Sequence, residues 1–143
     1  MSETVEQKRE RGLTTIAEMM GSDFAQILRD SANSGGFASA ISQMAIEFSF
    51  ADSWGRDGLA RRDRSLVIMG ALIALRQTKE LKNHVKIGVA NGLSVREIEE
   101  VLVQATSYVG FPAIATATTA VIEALREIDM DPGVKTSEEK GQL

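Results

Sequence analysis

The most constraining feature of this sequence is a run of ten apolar residues at positions 66–75, LVIMGALIAL, that follows a basic turn. The pattern predicts a helix over residues 61–76 that is apolar on every side. Such a helix must be covered all round, which is easiest if a second copy of the chain supplies part of the cover. We therefore expect an obligate homo-oligomer; a central helix wrapped by its own chain is the alternative. The run has about half of a membrane-spanning length, so no membrane span is expected.

Six further helices are predicted from apolar residues that recur at spacings of three and four, and no strand pattern competes with them. The predicted ranges are 4–20, a short helix that begins near residue 24 and is ended by residues 33–36, 37–50, 78–90, 95–108 and 112–128. Ser94 and Glu97 have the spacing of a capping box, and Thr78 is the expected cap of the helix that it begins. Residues 51–60 are expected to form a structured connection anchored by Trp54. The predicted fold class is therefore all-α.

The chain length of 143 residues suits a single core. Within it we expect N-terminal helices over 1–36, a helical domain over 37–130 and a disordered tail over 131–143. The N-terminus is polar and has no apolar central region, so it is no secretory signal and the expected compartment is the cytoplasm.

Composition excludes several classes of function. A net charge of −4 argues against a general nucleic-acid or anionic-membrane partner, because a polyanion would not be attracted. The absence of cysteine excludes disulfides, thiolate metal sites and thiol peroxidase chemistry. The single histidine prevents a site with two or three histidine ligands within one subunit.

His84 is the one side chain whose ordinary pKa lies near neutrality, and the helical pattern places it between Leu81 and Val85 on an inward face. A histidine there can transfer a proton or can be a hydrogen-bonded core residue. Four arginines lie around the start of the apolar helix, and their planar guanidinium groups suit carboxylates. They are Arg56, Arg61, Arg62 and Arg64. A solvated basic turn, neutralised by Asp57 and Asp63, is the structural alternative.

Other candidate residues are weaker when each is taken alone. Glu47 lies near the end of a predicted helix, Trp54 in the following connection, and Tyr108 and Phe111 at a turn between helices. Residues of these types at such places are most often structural. No phosphate-binding glycine loop, nucleophile elbow or metal-ligand pair is present.

Residues 46–125 resemble the carboxymuconolactone decarboxylase family. The resemblance rests on the segment from Glu47 to Leu59 with the pattern EF-F-D-W-R-GL, on RSLV at 64–67 with ALR at 74–76, on ELKNHVKIGVANGLSVREIEEVLVQ at 80–104, and on YVGFPA at 108–113. It implies an alkylhydroperoxidase (AhpD)-like helical bundle built on an antiparallel helical hairpin. It also implies assembly as a homo-oligomer, a trimer or a hexamer.

The wider superfamily includes disulfide reductants that carry a relay glutamate, a CxxC pair and a histidine. When that histidine is aligned with His84, the cysteine positions fall on Gln77 and Glu80 and the glutamate on Ser65. The chain therefore resembles the cysteine-less decarboxylase branch, and a thiol peroxidase is not expected.

The resemblance implies cofactor-free conversion of 4-carboxymuconolactone to the 3-oxoadipate enol-lactone in aromatic catabolism. The expected catalytic residues are His84 as general acid, Glu47 orienting it or sharing the proton transfer, and Arg56 holding a carboxylate. The expected substrate-binding residues are Arg62 as a second carboxylate clamp, Trp54 and Phe111 as apolar neighbours, and Tyr108 as a donor to the lactone carbonyl. No cofactor or metal is implied.

Two other functions stay open at this point. The chain can be another cofactor-free proton-transfer enzyme, an isomerase or hydrolase of a different small lactone or keto acid. It can also be a non-catalytic oligomeric binding module. A histidine and a glutamate beside four arginines favour an enzyme, because a purely structural chain has no need for that combination.

Overall fold

The computed structural model describes residues 1–142, and the regular structure in that part of the chain is entirely helical. The α-helices are α1 (Val5–Met20), α2 (Ser22–Asn33), α3 (Ser39–Met44), α4 (Arg61–Ala74), α5 (Thr78–Ala90), α6 (Val95–Val109) and α7 (Phe111–Glu127), and a π-helix covers Ala45–Trp54. The prediction of an all-α fold is confirmed. No helix among residues 1–142 is long and apolar enough to cross a membrane.

The chain divides into two compact units, one over Met1–Ala60 and one from Arg61 onward. The predicted domain limits at residues 36 and 130 stay a prediction. In the first unit, α1 packs along both α2 and the π-helix. Burial of apolar side chains from all three elements stabilises this arrangement. Its core consists of Leu13, Ile16, Ala25, Ala32 and Ile46.

The second unit contains α4 to α7. Helix α5 packs against α4 and α7, and α6 packs against the same two helices. A single apolar core joins all four helices, and its fully buried members include Met69, Ile73, Leu81, Ile98 and Leu125. The three-residue connection between α4 and α5 makes these two helices neighbours in space.

Helix α4 is covered by its own chain on one side. Met69 and Ile73 are 1% and 2% exposed, whereas Val67 and Leu75 are 63% and 68% exposed. The apolar run that looked uniform in the sequence therefore has a buried face and an open face within one chain.

The predicted third helix over 37–50 and the predicted connection over 51–60 are wrong in their limits. Ala38 has a left-handed φ of 68°, so α3 begins only at Ser39. From Ala45 the chain widens into a π-helix that continues through Trp54 and ends with a hydrogen bond of 2.9 Å from the amide of Gly55 to the carbonyl of Phe50. Trp54 is buried at 9% exposure, as its predicted anchoring role requires.

The start of α6 is as predicted, and the start of α5 is not. Ser94 accepts a hydrogen bond from the amide of Glu97, and Glu97 accepts one from the amide of Ser94, both at 3.1 Å. Thr78 is the first helical residue of α5 and not its cap, because Gln77 occupies the cap position and Thr78 Oγ1 donates backward to the carbonyl of Arg76.

The described part of the tail contacts α7. Arg126 pairs with Glu139 and also donates to the carbonyl of Val134 at 2.8 Å, and Thr119 donates to Glu138 at 2.9 Å. Leu143, the last residue of the predicted disordered tail, lies outside the described residues.

Candidate active site

His84 lies on the second turn of α5, between the buried Leu81 and Val85. The imidazole is half-buried, and its Nδ1 atom is shielded from solvent. Burial lowers the pKa of His84 below its usual value, because desolvation disfavours the charged ring; nearby Glu80 opposes this effect. The neutral imidazole therefore predominates at neutral pH, and a bound carboxylate would shift His84 toward the protonated form.

Two ion-paired lysines fix the helix that carries His84. Lys82 Nζ lies 2.9 Å from Glu127 Oε1 and 3.3 Å from Glu123 Oε2, and Lys86 pairs with the other oxygen of Glu127. The hydrogen bond from Lys86, followed by that from Lys82, lowers the pKa of Glu127 to about 2. Residues two positions apart point to different sides of a helix, so these lysines tie α5 to α7 through a side of α5 other than the one that carries His84.

Ser65 is the residue that falls at the position of the relay glutamate when His84 is aligned with the histidine of the disulfide reductants. It is fully buried in α4, and its hydroxyl accepts a hydrogen bond of 2.9 Å from the side-chain amide of Asn91. A buried hydroxyl satisfied in this way ties the end of α5 to α4, and it cannot replace a titrating carboxylate.

Arg62 lies in the first turn of α4 and is neutralised by its own chain. One of its terminal nitrogens pairs with Glu97 of α6, and the other lies 3.1 Å from Asp63. A substrate carboxylate would have to displace one of these partners. The contacts favour a structural role, in which Arg62 ties the start of α4 to the start of α6.

Tyr108 and Phe111 are both exposed, at 82% and 77%. Tyr108 lines a groove of about 710 Å³ between α4 and α6, which sequence reasoning did not anticipate. Most of the surface that lines the groove is apolar, and the lining residues include Gly70 of α4 and Gln104 of α6. His84, Arg62 and Phe111 do not line it.

Three candidates lie in the first unit. Glu47 is the third residue of the π-helix and is half-buried, and Trp54 is the last residue of the same helix. Arg56 follows in the exposed turn after Gly55. Single π-helical turns within helices are found frequently at functional sites, and the π-helix here is longer, at ten residues.

Arg9 is a neighbour of Glu47 that sequence reasoning missed. Its Nε donates to Glu47 Oε1 at 2.6 Å, across 38 positions of sequence. The only signal in the sequence is that α1 carries several basic residues, and nothing in that pattern names their partners. No group of three or more side chains suited to holding a metal ion occurs among the described residues.

Comparison with known proteins shows which family the chain resembles. Residues 40–123 match the model of the carboxymuconolactone decarboxylase family. The chain belongs to this family. The match begins in α3 and ends in α7, so it includes Glu47 and His84 and leaves out α1 and Arg9.

Two relatives show how much of the sequence this family member shares with known proteins. It is 28% identical to 4-carboxymuconolactone decarboxylase of Acinetobacter baylyi over 89% of this chain and 93% of that protein. It is also 26% identical to nitrosuccinic acid decarboxylase of Metarhizium robertsii over 83% of this chain and 82% of that protein. Relatives of the chain therefore include decarboxylases named for two chemically different acids.

Proposed function

We propose that this chain is a cofactor-free decarboxylase of small carboxylated acids, and that its substrate is 4-carboxymuconolactone or a closely related carboxylated lactone. The product would be the 3-oxoadipate enol-lactone, an intermediate of aromatic catabolism. Both relatives are named as decarboxylases, and each is aligned with this chain over more than four fifths of its length.

Both named acids can lose carbon dioxide without an added electron sink. In the lactone, the electrons of the broken carbon–carbon bond spread through the ring double bond to the lactone carbonyl as a dienolate. In nitrosuccinic acid, the nitro group takes them as a nitronate. A protein that acts on either acid needs to hold carboxylates, stabilise the new anion and return one proton to carbon.

His84 is the observation that carries the proposal. It is the only histidine, it is half-buried on a helix held in place by two lysines, and its pKa is lowered by burial. When a substrate with two carboxylates binds, their charge favours the imidazolium, which then delivers the proton to the dienolate. Carbon dioxide leaves in the first step. In the second, the proton from His84 goes to the ring carbon next to the lactone carbonyl, and the double bond moves to the carbon that lost carbon dioxide, which gives the enol-lactone.

The roles of the other candidates are proposed residue by residue. Glu47 acts as a carboxylate that accepts a hydrogen bond in the proton-transfer step, and Arg56 holds a substrate carboxylate. Tyr108, exposed at the end of α6, donates to the lactone carbonyl, and Trp54 and Phe111 provide apolar surface. Arg62 is the weakest of the proposed carboxylate clamps, because it already pairs with Glu97 and Asp63.

A nitro acid is the second candidate substrate. The likeness to nitrosuccinic acid decarboxylase favours it, since that identity is nearly as high as the identity to the lactone decarboxylase. Nitrosuccinic acid also carries two carboxylates, so the same requirement for cationic side chains applies to it.

The proposed assembly is a homo-oligomer, a trimer or a hexamer. Large apolar side chains are exposed on both units, all at 63–70% exposure: Val67 on α4, Leu75 directly after α4, Ile41 and Met44 on α3, and Phe48 on the π-helix. Covering them with a second copy removes apolar surface from water. Light scattering on the purified protein tests this, and a monomer at micromolar concentration would contradict it.

Loss of 4-carboxymuconolactone, followed by its ultraviolet absorbance, tests the proposed activity. The wild-type protein should consume the lactone, and His84→Ala should lose at least about a hundredfold in kcat/KM, in the range of general acid catalysis. The thermal midpoint of the variant should stay close to that of the wild type. If His84→Ala keeps full activity, His84 is a core residue and not the acid.

A further inference from the structure

We propose that Arg9, which lies outside the part of the chain matched by the family model, is a positioning residue for Glu47. This inference rests on the proposed function, because it assigns Arg9 a role in the same decarboxylation. It makes α1 part of the catalytic machinery and not only part of the fold.

The contact between the two side chains is short and specific. Arg9 Nε lies 2.6 Å from Glu47 Oε1, which is within the range of a strong charge-assisted hydrogen bond. About a third of each side chain is exposed, so the pair is partly withdrawn from water. The contact uses one carboxylate oxygen of Glu47, and it therefore fixes the direction in which the second oxygen points.

The backbone on either side of this pair is also fixed. Gly12 follows Arg9 by three positions on the same face of α1, and it lies directly against the main-chain carbonyl of Ile46, the residue before Glu47. One face of α1 thus determines how closely the backbone of the π-helix approaches α1 at Ile46. The same face determines how the side chain of Glu47 is oriented.

The other basic residues of α1 hold the far half of the π-helix. Lys8 Nζ lies 2.9 Å from Asp52 Oδ2, and Arg11 Nη2 lies 3.3 Å from Asp52 Oδ1 while its Nη1 donates to the carbonyl of Ala51. These contacts and the Gly12 packing already attach α1 to the π-helix. The pair of Arg9 and Glu47 is therefore not needed for docking, and a role in directing Glu47 accounts for it.

Pairing with Arg9 also decides what Glu47 can do. A carboxylate that accepts a hydrogen bond from a guanidinium acts as an acceptor. Glu47 then orients or receives a donor in the reaction, and the proton that reaches the substrate carbon comes from His84. Without Arg9, the carboxylate can rotate and the productive orientation becomes one of several.

The experiment compares Arg9→Gln, Arg9→Lys, Glu47→Gln and the double variant Arg9→Gln/Glu47→Gln with the wild type. The matched control is Arg29→Gln. Arg29 makes an ion pair of the same length, 2.6 Å, with Glu10, the neighbour of Arg9 on α1, but that pair lies on the surface between α1 and α2. The readouts are kcat and KM for the acid that the wild type decarboxylates, together with the thermal midpoint.

A positioning role predicts that Arg9→Gln lowers kcat at least tenfold and leaves KM within about twofold, since substrate binding is not the step affected. Arg9→Lys should recover part of the loss, because it keeps the charge. The double variant should be no worse than Glu47→Gln alone, since both changes remove the same function. Arg29→Gln should match the wild type in kcat, and the thermal midpoints of the two arginine variants should agree.

Two results would overturn the inference and leave the proposed function standing. One is an Arg9→Gln variant as active as Arg29→Gln while Glu47→Gln is impaired. The other is a double variant whose losses multiply, which would mean that Arg9 acts independently of Glu47. Failure of the proposed function gives a different result, in which the wild type itself decarboxylates neither acid, and the role of Arg9 then falls with it.

Discussion

Gly12 of α1 lies so close to the main-chain carbonyl of Ile46 that any side chain at position 12 would overlap the carbonyl oxygen. The neighbour is backbone within a π-helix, so it cannot move aside as the tip of a flexible side chain would. The packing of α1 against the helix that carries Glu47 therefore depends on a hydrogen atom in place of a methyl group.

Gly12→Ala should lower the free energy of unfolding by about 1–3 kcal/mol, the usual cost of overpacking a tight contact. Urea denaturation measures it, and Gly36→Ala is the control. A methyl group at Gly36 would meet only the Ser34 hydroxyl, at an ordinary contact distance of 3.5 Å. If Gly12→Ala is as stable as Gly36→Ala, α1 and the π-helix do not approach each other as closely as the structure shows.

His84 should make the stability of the protein depend on pH near neutrality. Burial lowers its pKa in the folded state, so on acidification the unfolded chain takes up a proton first. The free energy of unfolding should therefore fall as the pH is lowered through about 6.5, with a slope of at most about 1.4 kcal/mol per pH unit for one proton. Well above this pH, where the imidazole is neutral in both the folded and the unfolded state, the free energy of unfolding should not depend on His84 protonation.

Urea denaturation of the wild type and of His84→Gln, at pH values from 7.5 to 5.5, measures this dependence. Since His84 is the only histidine, the variant removes the one side chain that ordinarily titrates there. The difference between the two proteins should change across the range. A constant difference would show that the imidazole is not desolvated in the folded protein.

Glu127 should titrate far below a normal glutamate. Its pKa of about 2 results first from the hydrogen bond with Lys86 and then from the one with Lys82. Its contribution to stability is present above its ordinary pKa and is lost as the pH falls toward 2. Carbon-13 NMR of the side-chain carboxyl should show a rise of this pKa in Lys86→Met and a smaller rise in Lys82→Met. An unchanged pKa in Lys86→Met would contradict the pairing.

Local signals in the sequence predicted the second unit best. The capping box of Ser94 and Glu97 fixes the start of α6, and the apolar spacing of Leu81 and Val85 gives the buried face of α5. These features depend on residues within one or two turns of each other. Their energetic causes, hydrogen bonds to the first amides of a helix and burial of one face, are therefore visible in a short stretch of sequence.

The first unit was harder to predict for two physical reasons. A π-helix has a wider turn than an α-helix, so the spacing of three and four that indicated a helix over 37–50 did not show that the chain continues to Trp54. The partner of Glu47 is Arg9, 38 positions away, and only the packing of α1 on the π-helix brings them together. In the second unit, the groove beside Tyr108 was also missed, because it depends on how α4 and α6 pack against each other.

The most direct test of the central claim is stoichiometric release of carbon dioxide by protein that has been dialysed against a chelator. It is measured with 4-carboxymuconolactone and, separately, with nitrosuccinic acid. A cofactor-free decarboxylase predicts one carbon dioxide for each molecule of one of these acids consumed, at a rate that added metal does not change. Consumption of neither acid, or release only after a metal is restored, would contradict the account.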